Sequence, residues 1–99
     1  MKIHEFSTAT KFSHSKPMTD TVGTAYCIAP EVISGGYGSK CDEWTIGVCM
    51  YMLLTGSPPF DGESDREILK NVRTGKFSLE GSEFKKFSSE AMDLLKQLL

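Results

Sequence analysis

The sequence has no charge of one sign, no cysteine framework and no long apolar run. Eleven Lys and Arg stand against thirteen Asp and Glu, a formal net charge of −2 over 99 residues. That balance excludes a basic nucleic-acid arm and an acidic tail. With 39% hydrophobic and 24% charged residues, the chain is also too apolar and too evenly charged to stay disordered. The three cysteines, Cys27, Cys41 and Cys49, form no Cys-x-x-Cys pair and are odd in number. They read as reduced thiols of a cytoplasmic or nuclear chain, not as a disulfide scaffold. The longest apolar stretch, Trp44 to Leu54, is eleven residues and includes Thr45 and Gly47. A membrane-spanning helix needs about twenty, so none is expected. The first residues carry no apolar stretch of signal-peptide kind.

Several chemical signatures are also missing. His4 and His14 have no partner at metal-ligand spacing, and the cysteines are too scattered for zinc. Gly35-Gly36-Tyr37-Gly38-Ser39-Lys40 is glycine-rich, but a P-loop needs Gly-Lys-Ser/Thr in that order after a strand. Here it reads as a turn before a helix. No Gly-x-Ser-x-Gly elbow occurs. No repeat or low-complexity tract is present.

What is there is mainly helical, with short strands at most near the N-terminus. Residues 39–56 predict a central helix opened by Ser39-Lys40-Cys41-Asp42, which has capping-box spacing, and stopped by Gly56, Pro58 and Pro59. It is apolar on every face, and such a helix is normally buried all round. Residues 64–75 predict a second helix, with the box Ser64-Asp65-Arg66-Glu67 at its start and Gly75 at its end. Residues 88–99 predict a third, in which Ala91, Leu94, Leu95, Leu98 and Leu99 form one apolar stripe. Ser13 to Val22 reads as a surface loop. An all-apolar helix with few segments to wrap it, and a stripe running to Leu99, are expected of a piece of something larger.

The most specific pattern is an ordered set. Gly23-Thr24-Ala25-Tyr26-Cys27-Ile28 leads into Ala29-Pro30-Glu31-Val32. Lys40-Cys41-Asp42-Glu43-Trp44 follows, and then Leu53-Leu54-Thr55-Gly56-Ser57-Pro58-Pro59-Phe60. Ala-Pro-Glu alone is weak; the set in this order is strong. It closely resembles the middle of a eukaryotic serine/threonine protein kinase, from the activation segment through the helices of the C-lobe. Among kinases it is most similar to the calcium-dependent protein kinases of the calcium/calmodulin-regulated group.

The resemblance covers residues 1–99 as a partial kinase domain, with 1–33 as the activation segment. It implies that Gly23 and Thr24 lie where the protein substrate is received. It implies a structural motif of Ala29, Pro30 and Glu31, with Glu31 paired to an arginine of the lobe. Asp42 would hold the backbone of the catalytic loop, or act only as the capping-box acid. Trp44 and Gly47 would pack the central helix on the activation segment. Ser13, Ser15, Thr19 and Thr21 would be phosphorylation candidates by location, against the plainer reading of a solvated loop.

The pattern breaks at Glu5-Phe6-Ser7, where kinases carry Asp-Phe-Gly. Glu5 thus takes the place of the metal-binding aspartate, with its carboxylate moved by one methylene. The sequence contains no glycine-rich phosphate loop, no Val-Ala-Ile-Lys lysine and no His-Arg-Asp catalytic loop. The resemblance therefore implies a segment whose parent kinase uses ATP and magnesium to phosphorylate protein Ser/Thr. This chain alone is expected to hold no cofactor and to be catalytically inactive. The alternative is a non-catalytic, pseudokinase-like interaction module. The expected partners are a protein substrate or a regulatory protein, with no nucleic acid and no membrane.

Overall fold

The computed structural model describes residues 2–99. The activation-segment span 1–33 thus begins one residue outside the described chain. Four α-helices follow one another: α1 (Pro30–Ser34), α2 (Lys40–Thr55), α3 (Asp65–Thr74) and α4 (Ser89–Leu98), with a 3₁₀ turn at Phe84–Lys86 before α4. The mainly helical expectation holds. Among the described residues pairing of strand type is limited to two isolated bridges, Ser13 with Lys16 and Met18 with Tyr37. No helix of the described residues is long and apolar enough to cross a membrane.

Each helix boundary has a local cause. Pro30 fills the first position of α1, where its missing N–H costs nothing and its fixed φ suits the helix. At α3 the Ser64 hydroxyl accepts the Glu67 N–H at 3.3 Å. The Glu67 carboxylate reaches back one residue further than a capping box requires, to the Glu63 N–H at 3.0 Å. At α4 the Ser88 hydroxyl accepts the Ala91 N–H at 3.2 Å. Gly56 ends α2 in the left-handed region, φ 81°, and its N–H donates to the Met52 carbonyl at 2.8 Å.

The cap expected at Ser39 is absent. Ser39 sits at φ −63°, ψ −18°, already helical, and its side chain makes no cap hydrogen bond. A serine in αR geometry turns its hydroxyl away from the following N–H groups, because an N-cap needs the β region. The Asp42 carboxylate instead receives the Cys41 thiol at 3.8 Å.

Two clusters make the core. The larger joins Ile28, Ala29, Val32, Tyr37, Trp44, Val48, Phe60, Ile68 and Val72, so α1 and α3, packed on each other, share a buried cluster with Trp44 and Val48 of α2. Trp44 and Phe60 stack at 5.5 Å with rings 10° apart, which is what the Pro-Pro-Phe turn accomplishes. The smaller cluster, Tyr51, Phe84 and Leu95, seats α4 on α2. Gly47 belongs to this second contact: a Cβ there would lie 2.8 Å from Leu98 Cβ and 2.9 Å from Leu99 Cγ.

The central helix is not buried all round. Trp44, Gly47, Val48 and Tyr51 are inside, but Leu53 is 87% exposed and Ile46 59%. Two small clusters cover one side of a 16-residue helix and leave the other to solvent. The N-terminal segment is likewise uncovered, with Ile3 86% and Phe6 68% exposed. The accessible surface is 7360 Å², against about 5,600 Å² for a folded monomer of this mass.

Candidate functional site

A cavity of 490 Å³ opens between the N-terminal segment, the Gly23–Ala29 stretch and the first turns of α2. Glu5, Phe6, Gly23, Cys27, Asp42 and Thr45 are among the residues on its wall. Three local devices hold it. The Thr24 carbonyl accepts the N–H groups of Cys27 and Ile28 at 2.9 and 3.1 Å, folding the chain into a turn directly before Ala29. Thr45 Oγ1 donates its proton between the Cys27 carbonyl at 3.0 Å and the Cys41 carbonyl at 3.2 Å, fastening that turn to α2. Met18 and Tyr37 exchange backbone bonds at 2.9 and 3.0 Å, and the Tyr37 hydroxyl donates to the Asp20 carbonyl at 2.6 Å. The loop is thereby moored to the residues just ahead of α2.

The expected site residues fall at different places in this arrangement. Gly23 (φ 126°) and Thr24 are exposed at the mouth of the turn, and Gly23 has nothing within 4 Å of a built Cβ. Ala29 is fully buried in the main core, with Pro30 and Glu31 half-buried beside it. Asp42 is exposed on the cavity wall in the first turn of α2. Trp44 shares the main core cluster with Ile28 and Ala29. Gly47 lies against Leu98 and Leu99 of α4, where a side chain would collide. Ser13, Ser15, Thr19 and Thr21 are all exposed, and the hydroxyls of Ser13 and Ser15 are 2.9 Å apart.

Glu31 is the residue for which an arginine partner was expected. It is half-buried, and the one buried side-chain polar atom without a hydrogen-bond partner among the described residues is Trp44 Nε1. The Glu31 carboxylate therefore avoids the cost of full unpaired burial. Its charge still acts locally. Burial pushes the Cys41 thiol above its ordinary value, and the Asp42 and Glu31 charges push the same way. Burial, then Cys49, raises the Cys27 thiol as well. Both thiols are protonated at neutral pH and poor nucleophiles, in keeping with packing roles.

Glu5 is exposed and adopts φ 64°, a left-handed conformation rare for a residue with a Cβ. Among the described residues no group of three or more His, Cys, Asp or Glu could hold a metal ion. Magnesium demands near-octahedral oxygen ligation, and one exposed carboxylate does not provide it. The residues present do not fit the metal.

Thr45 and Tyr37, which tie the site together, escaped the sequence reading. Thr45 carried a signal, a hydroxyl at the second position of the apolar stretch Trp44 to Leu54. Tyr37 sat among glycines that looked only like a turn.

The protein kinase domain family profile matches residues 1–99. Calcium-dependent protein kinase 4 of Plasmodium berghei (strain Anka) is 50% identical over 99 residues, which are 100% of this chain and 19% of that protein. Calcium-dependent protein kinase 4 of Plasmodium falciparum (isolate 3D7) is 48% identical over the same length, again 19% of that protein. Calcium-dependent protein kinase 3 of Plasmodium yoelii yoelii is 45% identical over 100 residues. The chain thus spans about a fifth of the length of these curated relatives. Buried Ala29 and Trp44, the turn at Thr24 and the Pro-Pro-Phe stack all lie inside the matched span, and the chain belongs to the protein kinase domain family as a segment of its C-lobe.

Proposed function

We propose that this chain is the substrate-side segment of a serine/threonine kinase catalytic lobe, and that by itself it transfers no phosphate. The observation that carries the reading is the cavity: Gly23 and Asp42 are on its wall, with Thr24 next in the chain, but no lysine or arginine lines it to meet a nucleotide's phosphates. Phosphoryl transfer rests on positioning and charge stabilisation by a phosphate-binding lysine, a catalytic-loop aspartate and its asparagine. None of these motifs is in the sequence. A catalytic loop supplied by the rest of a parent kinase would fill this cavity, and Asp42 would accept hydrogen bonds from its backbone. ATP and magnesium would belong to that parent, and the protein substrate would meet Gly23 and Thr24. The reduced thiols suit a cytoplasmic or nuclear setting.

A second reading is favoured by Glu5 and its left-handed backbone. With the metal-binding aspartate replaced, the lobe would act as a non-catalytic, pseudokinase-like module that binds a regulatory protein.

A graft distinguishes them. The 99 residues replace the corresponding segment of Plasmodium berghei calcium-dependent protein kinase 4, and phosphate transfer to a serine peptide is measured. An active chimera supports the catalytic-lobe reading. An inactive chimera restored by Glu5→Asp supports the second. The isolated chain with Mg–ATP should give no transfer, and turnover there would refute the proposal.

A further inference from the structure

Away from the cavity just described, α1 and α3 enclose a second hollow of 660 Å³. Its chemistry is different. Arg66, Lys70 and Arg73 stand at i, i+4 and i+7 on α3, so one face of the helix carries three exposed cations along the groove. The apolar part is Ile33 from α1 and Leu69 from α3, both half-buried. The acid in the lining, Glu67, is occupied by the Glu63 N–H at 3.0 Å, close to the helix start. The chain as a whole is at −2, so this cationic stripe is a local reversal of its charge.

We infer that the α1–α3 groove is a docking site for an acidic peptide segment of a partner protein, one that places a single aliphatic side chain between Ile33 and Leu69 while its carboxylates meet Arg66, Lys70 and Arg73. Charge complementarity selects the partner: cations on a rim attract and orient an acidic chain, and the apolar floor supplies the desolvated anchor. A nucleic acid fits less well, because none of the residues lining the groove is aromatic and bases have nothing to stack on. The site is separate from Gly23 and Thr24, so it holds a partner without occupying the substrate turn. It does not depend on which reading of catalysis is correct.

The test uses the 99-residue chain and a fluorescein-labelled peptide, Glu-Asp-Glu-Leu-Glu-Asp-Glu, followed by fluorescence anisotropy at low salt. Saturable binding is expected, weakening by about tenfold on Lys70→Glu with Arg73→Glu, and by a similar factor when the peptide leucine is changed to alanine. The exposed variants should keep the far-ultraviolet dichroism of the parent. A Leu69→Ala variant checks the apolar half by the same readout. No saturable binding, or binding indifferent to both the charge reversal and the leucine, overturns the assignment. Tighter binding of a labelled oligothymidylate with the same dependence on Lys70 and Arg73 would overturn it in favour of a nucleic-acid surface.

Discussion

At the scale of single residues, two positions in α2 decide how the rest of the chain lies against it. Thr45 shares one proton between the carbonyls of Cys27 and Cys41. Thr45→Val keeps the shape and the β-branching but leaves the Cys27 carbonyl without that donor. A loss of about 1 kcal/mol in urea unfolding is expected, since an orphaned, partly buried acceptor costs its desolvation. Gly47 is the opposite case, a residue needed for what it lacks. Glycine to alanine inside a helix normally gains about 1 kcal/mol. Here the new methyl would stand 2.8 Å from Leu98 Cβ, and overpacking of that kind costs roughly 1–3 kcal/mol. The second effect wins. Gly47→Ala should lower stability by about 1 kcal/mol, with earlier hydrogen exchange in the last turn of α4. No gain in melting temperature is compatible with that contact.

The helices themselves were largely legible in the sequence, because their signals are local. Gly56 and Gly75 act through φ, and the Ser64 and Ser88 caps need only the next turn of chain; the five-residue α1 opened by Pro30 is too short to show a period and was not among the expected helices. Ser39 had the same spacing and failed, since its backbone is already helical when α2 begins. Spacing reports which side chain could cap; it does not report the φ/ψ of the capping residue. This distinction can be measured. Ser64→Ala and Ser88→Ala should each cost about 1 kcal/mol, whereas Ser39→Ala should be neutral within about 0.5 kcal/mol. The start of α4 also carries a pH signature. Its own backbone N–H holds the Glu90 carboxyl below the ordinary glutamate value, with the Ser89 and Ser88 hydroxyls adding to the effect. A carboxyl whose value is lower folded than unfolded stabilises the fold above its unfolded value, and that contribution fades as pH falls through the folded one. The helical signal should therefore weaken below about pH 4, and Glu90→Gln should flatten that part of the profile.

Over the whole molecule, what the sequence could not convey was which faces would find a partner. The apolar content of Trp44 to Leu54 implied a helix wrapped on all sides, but wrapping requires segments from elsewhere. The buried set of Trp44, Val48 and Tyr51 shares its clusters with residues of α1, α3 and α4, while Ile46 and Leu53 meet solvent. The Asp42 wall of the cavity and the exposed Ile3 and Phe6 share that condition. The site's residues and its missing motifs were legible in the sequence; which faces the missing parts leave bare became visible only as surface. The surplus area has a measurable consequence. Burying apolar surface is worth about 25 cal/mol per Å², so these side chains favour association of the isolated chain. Light scattering of the purified chain should show concentration-dependent oligomers, and Ile46→Lys with Leu53→Glu should return it to monomer. The same double variant should leave the urea midpoint nearly unchanged, within about 0.5 kcal/mol, because neither side chain is buried in the folded chain. If the substitutions instead unfold the protein, Ile46 and Leu53 have intramolecular partners and the open face of α2 does not exist. If scattering is unaffected while stability holds, association runs through Ile3 and Phe6, and the corresponding Ile3→Lys variant should abolish it.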